Sequence, residues 1–325
     1  MKALINRRYG DPSAVLELAD LPRPSPARGE VLIRVHAAAV DPGVWILVTG
    51  RPPAMRLMGF GVRRPKHPVR GRDLAGVVVE TGPDVTTLAP GDEVYGTCDR
   101  GSYAEYTVAP VTWLARKPAR LSFAEAAAVP VSGQTALAAI RAAGPLTGRR
   151  MMITGAGGGI GVFAVQLAIA AGARVTAVCG PGKAALMESL GVDRVIDYTR
   201  DEVDRDGPVH DVILDTAGCR PFPLLRRALT RTGRVLLAGG GHDAPGLLGG
   251  FTRQLRAPLL TTFARQRFRP VAGRESTAGL EDLSRAIDAG TLTPVIGRTF
   301  PLESGADAIT HLAGGHPTGK TVITI

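Results

Sequence analysis

Residues 150–171 read RMMITGAGGGIGVFAVQLAIAA, in which a short apolar run, a glycine-rich turn and a longer apolar run follow one another. The short run predicts a strand over 150–154, and the longer run predicts a helix over 160–171. A helix that begins directly after a glycine-rich turn presents free backbone N–H groups and a positive dipole end to an anion. The stretch therefore predicts a site for a phosphate-bearing ligand.

The glycines of this turn have separate roles in a strand–turn–helix that holds a dinucleotide. The first permits the tight turn, the middle ones let the backbone approach the pyrophosphate, and the last lets the helix pack on the sheet. A glycine-rich turn alone is weak evidence, but further strands follow it in the right order. The predicted pyrophosphate contacts are Gly155, Gly157, Gly158, Gly159, Ile160 and Gly161.

Strands and helices alternate after the turn, with strands that are almost continuously apolar. This pattern predicts a parallel sheet covered on both faces by helices, a doubly wound α/β domain. The predicted strands are 150–154, 174–179, 194–197, 211–215 and 234–238, with helices at 183–190 and 222–230. A further strand over 257–264 and a helix over 281–289 are also predicted.

The first 120 residues have a different pattern, in which short β-branched runs are separated by Pro/Gly turns. They predict a small barrel-like β domain. Ser122 and Glu125 form a capping-box pattern that predicts the start of a helix and a change of domain. The β-rich tail, residues 319–325, is expected to rejoin the first domain.

The second strand of the doubly wound part ends at Cys179, and no acidic residue follows it to hold a ribose 2′-hydroxyl. A 2′-phosphate would not be repelled there, Lys183 is able to pair with it, and Tyr198 is able to donate its hydroxyl. NADPH is therefore the expected cofactor. A solvated lysine at a helix start remains the alternative for Lys183.

Composition excludes several classes of protein. The three cysteines form no CxxC pair and the six histidines no metal-ligand spacing, so no metal site is expected. The net charge of +10 comes without a nucleic-acid-binding motif, so no specific nucleic-acid partner is expected. No apolar run approaches the ~20 residues of a membrane span, and the N-terminus lacks a signal-peptide pattern, which predicts a cytoplasmic protein. No Tyr-x-x-x-Lys pair occurs, which argues against a short-chain dehydrogenase.

Motifs along essentially the whole chain resemble the medium-chain dehydrogenase/reductase superfamily, and within it the zinc-independent quinone oxidoreductase branch. The resemblance implies a GroES-like β-rich catalytic domain, residues 1–121 completed by about 292–325, and a Rossmann doubly wound domain, residues 122–291. It also implies a homodimer. The motifs are Gly71-Arg72-Asp73-Leu74-Ala75-Gly76, Pro90-Gly91-Asp92-Glu93-Val94, Ala104-Glu105-Tyr106, Glu125 to Pro130, Ala164 to Ala168 with the glycine turn, and Gly319-Lys320.

Zinc-dependent relatives carry a Cys near the first catalytic loop and a Gly-His-Glu, where this chain has Asp41 and Gly71-Arg72-Asp73. Metal-free hydride transfer follows. The family loop usually begins with Asn where Asp41 stands, so Asp41 is either a proton-transfer candidate or a turn cap, and Trp45 is either a substrate wall or a core residue. The resemblance carries over cofactor contacts to Thr135, the backbone from Leu237 through Gly239 to Gly240, Lys183, Tyr198 and Lys320. The strand-end residues Cys179 and Asp215 are added to the predicted cofactor site.

The expected function is an NADPH-dependent reductase of a quinone or an α,β-unsaturated carbonyl, with a small apolar acceptor. Two alternatives stay open at this point. One is an enoyl or ketone reductase dedicated to a biosynthetic pathway. The other is an NADPH-binding interaction protein without turnover.

Overall fold

The computed structural model describes residues 1–239, 246–257, 265–271, 273–314 and 317–325. The chain divides into two compact units. The first consists of Met1–Gln134 and Arg274–Ile325, and the second of Thr135–Gly273.

Strands dominate the first unit and alternate with helices in the second. In the described residues the strands are, in chain order, β1 (Lys2–Asn6), β2 (Leu16–Asp20), β3 (Glu30–Val40), β4 (Asp73–Thr81), β5 (Glu93–Thr97), β6 (Tyr106–Pro110), β7 (Leu114–Arg116), β8 (Arg150–Thr154), β9 (Arg174–Cys179), β10 (Arg194–Asp197), β11 (His210–Asp215), β12 (Leu229–Leu237), β13 (Arg267–Pro270), β14 (Ile296–Pro301) and β15 (Lys320–Thr324).

The helices of the described residues are mostly short. They are α1 (Pro12–Val15), α2 (Pro42–Thr49), α3 (Phe123–Ala127), α4 (Pro130–Ala143), α5 (Gly159–Ala170), α6 (Ala184–Ser189), α7 (Phe222–Ala228), α8 (Phe251–Arg256), α9 (Thr277–Asp288) and α10 (Gly305–Ala313). Single 3₁₀ turns lie at Val111–Trp113, Pro181–Lys183 and Leu302–Ser304, and a kinked π turn lies at Arg56–Phe60.

The second unit contains a parallel sheet with the strand order β10-β9-β8-β11-β12-β13. This is the order of the dinucleotide-binding doubly wound fold, and its switch point lies between β8 and β11. The strands β8, β9 and β11 are buried along almost their whole length, as expected of a sheet covered on both faces. The predicted Rossmann fold is confirmed.

The first unit contains a sheet with the order β14-β15-β3-β4-β5-β7, in which β6 also pairs with β3. Apart from the parallel pair β14 and β15, its pairs are antiparallel. The tail strand β15 pairs with β3, so that Thr321 lies opposite Val40. This register brings the start of β15 next to Asp41, which follows β3. The predicted GroES-like, β-rich fold is confirmed.

Packing assigns the segments around α3 and α9 to the first unit. The helix α3, whose Ser122–Glu125 capping box is formed as predicted, packs on β3 and β4. The helix α9 packs on β7, and the Tyr95 hydroxyl donates to the carbonyl of Leu280 at 2.6 Å. The first unit therefore runs past the predicted boundary at residue 121 and takes α9 as well.

Some elements differ from the sequence prediction. The strand β12 begins at Leu229, where a helix was predicted to continue to 230, because Leu229 pairs with His210 on β11. The strand β13 was not predicted, since its four residues place one apolar side chain, Phe268, in the core. The predicted strand over 257–264 lies outside the described residues except for Ala257, which follows α8.

His210 begins β11 and is 4% exposed. Burial lowers the pKa of His210 from 6.5 to about 4, with Arg194 and Arg150 acting in the same direction and Asp206 and Asp211 opposing. The folded state therefore binds fewer protons than the unfolded state between these two pKa values. The contribution of the neutral His210 to the free energy of unfolding is fully present above pH 6.5 and is lost as the pH falls toward 4.

We expect the free energy of unfolding to fall by about 2 kcal/mol from this group between pH 7 and pH 5. Urea unfolding of the wild type and of His210→Gln at both pH values measures it. The variant should lose that part of the pH dependence. Equal slopes in the two proteins would contradict the assignment.

Candidate functional site

The turn after β8 has the backbone that the glycines predicted. Gly155 adopts φ +67°, and a Cβ there would lie 2.6 Å from Thr216 Oγ1. A Cβ on Gly161 would lie 2.3 Å from the carbonyl oxygen of Gly155. No side chain of the described residues caps α5 at Gly158, so the first-turn amides, including those of Gly159 and Ile160, are left for a ligand. The residues present fit a pyrophosphate cradle.

Asp215 fixes this turn from the end of β11. It is fully buried, and its Oδ1 accepts hydrogen bonds from Thr154 Oγ1 at 2.6 Å and the Gly218 amide at 3.1 Å. Its Oδ2 accepts from Arg253 Nη2 on α8 at 2.6 Å. Both carboxylate oxygens are thus engaged within the protein. These contacts favour an indirect role, in which Asp215 positions the turn, over the direct cofactor contact that the sequence suggested.

Lys183 lies over the turn. A Cβ placed on Gly157 would be 2.5 Å from Lys183 Cδ, so glycine is needed for the lysine to pack there. Burial lowers the pKa of Lys183, while Cys179 opposes this change. Burial raises the pKa of the Cys179 thiol, which lies buried at the end of β9. A phosphate beside Lys183 would restore the stability of its charged form.

Besides Lys183, the second unit has another cation near the predicted cofactor residues, Arg220, which was not predicted from the sequence. It lies beside Tyr198. The Arg220 guanidinium lies 5.6 Å from the centre of the Tyr198 ring. A Cβ on Gly180, which follows β9, would lie 3.5 Å from the Tyr198 hydroxyl. The Arg220 side chain is 20% exposed, and it also forms a 3.8 Å ion pair with the exposed Glu202. Its place 22 residues after Tyr198 gave no local signal in the sequence.

The other predicted cofactor residues of the second unit are mostly buried. Thr135 is 9% exposed and Leu237 is fully buried. The Gly239 amide donates to the Asp215 carbonyl at 3.1 Å, and a Cβ on Gly239 would lie 1.9 Å from the Thr216 carbonyl oxygen. The end of β12 is therefore held against the end of β11. Gly240 lies outside the described residues.

In the first unit, Lys320 is at the centre of a buried polar cluster. Its Nζ donates to Asp73 Oδ2 at 3.1 Å and to Ser132 Oγ at 3.1 Å, and it is 2% exposed. Asp73 is fully buried, and its Oδ1 accepts from the Val131 amide at 2.9 Å. Burial raises the pKa of Asp73 against the pull of Lys320, and Asp41 raises it further. The cluster ties β15 and α4 to β4.

Asp41 caps α2, as one of the two sequence hypotheses holds. Its Oδ1 accepts from the Gly43 amide at 2.7 Å. Its Oδ2 is buried and has no hydrogen-bond partner among the described residues. One oxygen therefore explains the cap, and the other remains for a ligand.

Arg72 stands beside these carboxylates and pairs with Glu275, the residue before the Ser276 cap of α9. Burial acts to lower the pKa of Arg72, but Glu275, Asp41 and Asp73 together raise it. The Arg72 side chain is 35% exposed. Trp45 is half-buried and packs on the apolar cluster that contains Val44 and Phe300, as its core hypothesis holds.

These residues do not fit a zinc ion. A guanidinium cannot ligate a metal, and Arg72 occupies the Gly-Arg-Asp position that the sequence contrasts with Gly-His-Glu. Among the described residues, no three His, Cys, Asp or Glu side chains are grouped as a metal site.

Comparison with known proteins identifies the family. The family described as alcohol dehydrogenase GroES-like domain matches residues 27–119, and that described as zinc-binding dehydrogenase matches residues 190–323. The chloroplast envelope quinone oxidoreductase homolog of Arabidopsis thaliana is 31% identical over 99% of this chain and 98% of its own. The chain belongs to the medium-chain dehydrogenase/reductase superfamily.

Other members of the medium-chain dehydrogenase/reductase superfamily support this placement. The mitochondrial NAD(P)H oxidoreductase RTN4IP1 of Mus musculus is 32% identical over 91% of this chain and 82% of its own. The solved structure of the quinone oxidoreductase from Coxiella burnetii has a TM-score of 0.84 and 27% identity, with 100% of this chain and 99% of that chain covered. The predicted resemblance is confirmed.

Among the described helices, none has the length and apolar character needed to cross a bilayer. The names of the two relatives place them in a mitochondrion and at a chloroplast envelope. The cytoplasmic location of this chain stays a prediction.

We expect Gly161→Ala to displace the turn, because its Cβ would meet two backbone carbonyl oxygens at 2.3 and 2.4 Å. Such overpacking costs about 1–3 kcal/mol, and the affinity for a reduced nicotinamide cofactor should fall as the amides move. Urea unfolding and fluorescence titration measure the two effects.

Gly182→Ala is the matched control, since nothing lies within 4 Å of its Cβ. It should leave both quantities near those of the wild type. If both variants bind cofactor as the wild type does, the turn is not the cradle.

Proposed function

We propose that this chain is a zinc-independent, NADPH-dependent oxidoreductase that transfers hydride to a quinone or an α,β-unsaturated carbonyl. The observation that supports the proposal is the start of α5 behind the positive-φ Gly155, where no described side chain caps the helix and its amides are left for an anion at the switch point of the Rossmann sheet. The names of the relatives, quinone oxidoreductase and NAD(P)H oxidoreductase, support the same reaction class.

The proposed direct cofactor contacts lie in the second unit. The turn from Gly155 to Gly161 holds the pyrophosphate, and Thr135 with the backbone of Leu237 and Gly239 serves the nicotinamide side. Lys320, the predicted cofactor residue of the first unit, is proposed to act indirectly. Since it is enclosed by Asp73 and Ser132, its contribution is to orient Ser132 and its neighbours.

A preference for NADPH is supported by charge at the end of β9. The strand ends at Cys179 and continues as Gly180-Pro181-Gly182-Lys183, without a carboxylate to accept from a ribose 2′-hydroxyl. Two cations lie near this strand end. Lys183 packs over Gly157, and the Arg220 guanidinium lies 5.6 Å from the centre of the Tyr198 ring. Charge-assisted hydrogen bonds to a 2′-phosphate are worth about twice neutral ones.

When bound, the reduced nicotinamide supplies a hydride, and this chain supplies binding and electrostatics. The acceptor gains the hydride at its electrophilic carbon, and negative charge develops on its oxygen. The proposed acceptor-side residues are Asp41, with its unpaired Oδ2, and Trp45. An acceptor that is small and apolar is favoured, because Leu57, Met58 and Phe60 are exposed at the π turn of the same unit.

Two other functions remain to be tested against this one. A reductase dedicated to one biosynthetic substrate would oxidise NADPH with few members of a quinone and enone panel. A binding protein without turnover would bind NADPH and oxidise it with none of them. The proposed homodimer is measured by light scattering of the same preparation.

We expect Lys183→Gln and Arg220→Gln each to raise the KM for NADPH by about tenfold, since each removes one charged contact to the 2′-phosphate. The KM for NADH should not change, because NADH lacks that phosphate. Arg174→Gln is the control. Its side chain is 62% exposed in the same unit and pairs with Asp193 at 3.4 Å. Equal effects on both cofactors would contradict the proposed subsite.

Asp41→Asn tests the acceptor side, because Asn caps a helix as well as Asp does. We expect the variant to keep its thermal midpoint and to change the shape of the pH profile of turnover. Identical profiles in the wild type and the variant would reduce Asp41 to a helix cap.

A further inference from the structure

The first unit contains a cluster of charged residues around Asp41, in which acids outnumber bases. Asp41, Asp73 and Glu275 are its carboxylates, and Arg72 and Lys320 its cations. With every group ionised, the cluster carries a net charge of −1, and it would carry −2 without Arg72. A reaction that develops negative charge here needs a cation that reaches the reacting atoms.

Lys320 cannot be that cation. Its Nζ is committed to Asp73 and Ser132, and the side chain is 2% exposed. Its charge is therefore balanced inside the protein and closed off from a ligand.

Arg72 has the opposite properties. Among the described residues, its one side-chain hydrogen bond runs from Nη2 to Glu275 Oε1. A guanidinium has five N–H donors, so most of those on Arg72 are uncommitted. The side chain is 35% exposed, whereas Asp41 beside it is 4% exposed and has an unpaired oxygen. Arg72 is thus the cation of this cluster that a ligand is able to reach.

We propose that Arg72 is the catalytic oxyanion-binding residue of this site, donating to the carbonyl oxygen of the acceptor, with Glu275 as its positioning residue. The inference rests on the proposed function and names the group that stabilises its transition state. For an enone, the β-carbon gains the hydride of the nicotinamide cofactor and the C=C π pair moves to form an enolate. Its oxygen is held by Arg72 until a proton from water reaches the α-carbon. A quinone that gains the same hydride and one proton from water ends as the hydroquinone.

The proposal predicts that Arg72→Gln lowers kcat by about 100-fold, the usual loss for one oxyanion donor. The NADPH dissociation constant should stay unchanged, which also shows that the variant is folded. Arg72→Lys should recover part of kcat, and guanidinium chloride below the onset of unfolding should restore part of kcat in Arg72→Gln. Arg116→Gln is the control, because Arg116 is 64% exposed and pairs with Asp92 at 2.5 Å. It should change neither quantity.

A second measurement separates this inference from the proposed function, because it needs no turnover. The probe is 4-nitrophenolate, whose anionic oxygen resembles an enolate, followed by its absorbance. Arg72→Gln should bind it about tenfold more weakly than the wild type, and Arg116→Gln should bind it as the wild type does. No binding to the wild type, equal binding to Arg72→Gln, or a kcat for Arg72→Gln near that of the wild type would each overturn the role of Arg72. Probe binding that depends on Arg72 in a protein that oxidises no NADPH would overturn the proposed function alone.

Discussion

The carboxylate of Asp215 is the contact on which the second unit depends. It is fully buried at the carboxyl end of β11, where it joins the end of β8, the loop at Gly218 and the helix α8. Burying a carboxylate costs free energy unless its oxygens are paired, and in Asp215 both oxygens are. The chain can therefore hold the glycine turn in one conformation while its helix amides face outward. Asp215 pairs with polar groups beside the turn, so the amides at the start of α5 are left for the proposed ligand.

The first unit also contains buried carboxylates, but there the hydrogen bonding is complete for some groups and incomplete for others. Asp73 is satisfied by Lys320 and the Val131 amide, which ties three elements together. Asp41 and Arg72 are left incompletely paired in the same cluster. Buried polar groups that lack a hydrogen-bond partner within the protein are typical of sites where a ligand supplies the missing hydrogen bond. The first unit thus contains charges whose hydrogen bonding is complete within the protein and, in the same cluster, charges that are left for the proposed acceptor.

How far the sequence predicted this structure depended on the range of the interactions. The strand–turn–helix at residues 150–171 was predicted because its pattern is local and its glycines are required by the turn. The strand β13 was not predicted, because RFRP has one apolar residue facing the core. In the sequence, Arg72 drew attention only because it stands where zinc-dependent relatives have a histidine. Its pairing with Glu275 was not predicted, since the two residues are 203 positions apart. Arg220 was also missed, because it follows β11 whereas its neighbour Tyr198 follows β10, and only the folded sheet brings the two residues together.

The open backbone after β9 has a consequence for the evolution of the protein. A side chain on Gly180 would meet Tyr198 at ordinary contact distance, and one on Gly182 would meet nothing within 4 Å. Neither glycine has the positive φ that excludes other residues. The Cβ of an introduced aspartate would therefore be accommodated at either place with the backbone as it stands. A carboxylate there would repel a 2′-phosphate and could accept from a ribose 2′-hydroxyl, so in the proposed NADPH site one substitution would be enough to reverse the charge that the ribose meets.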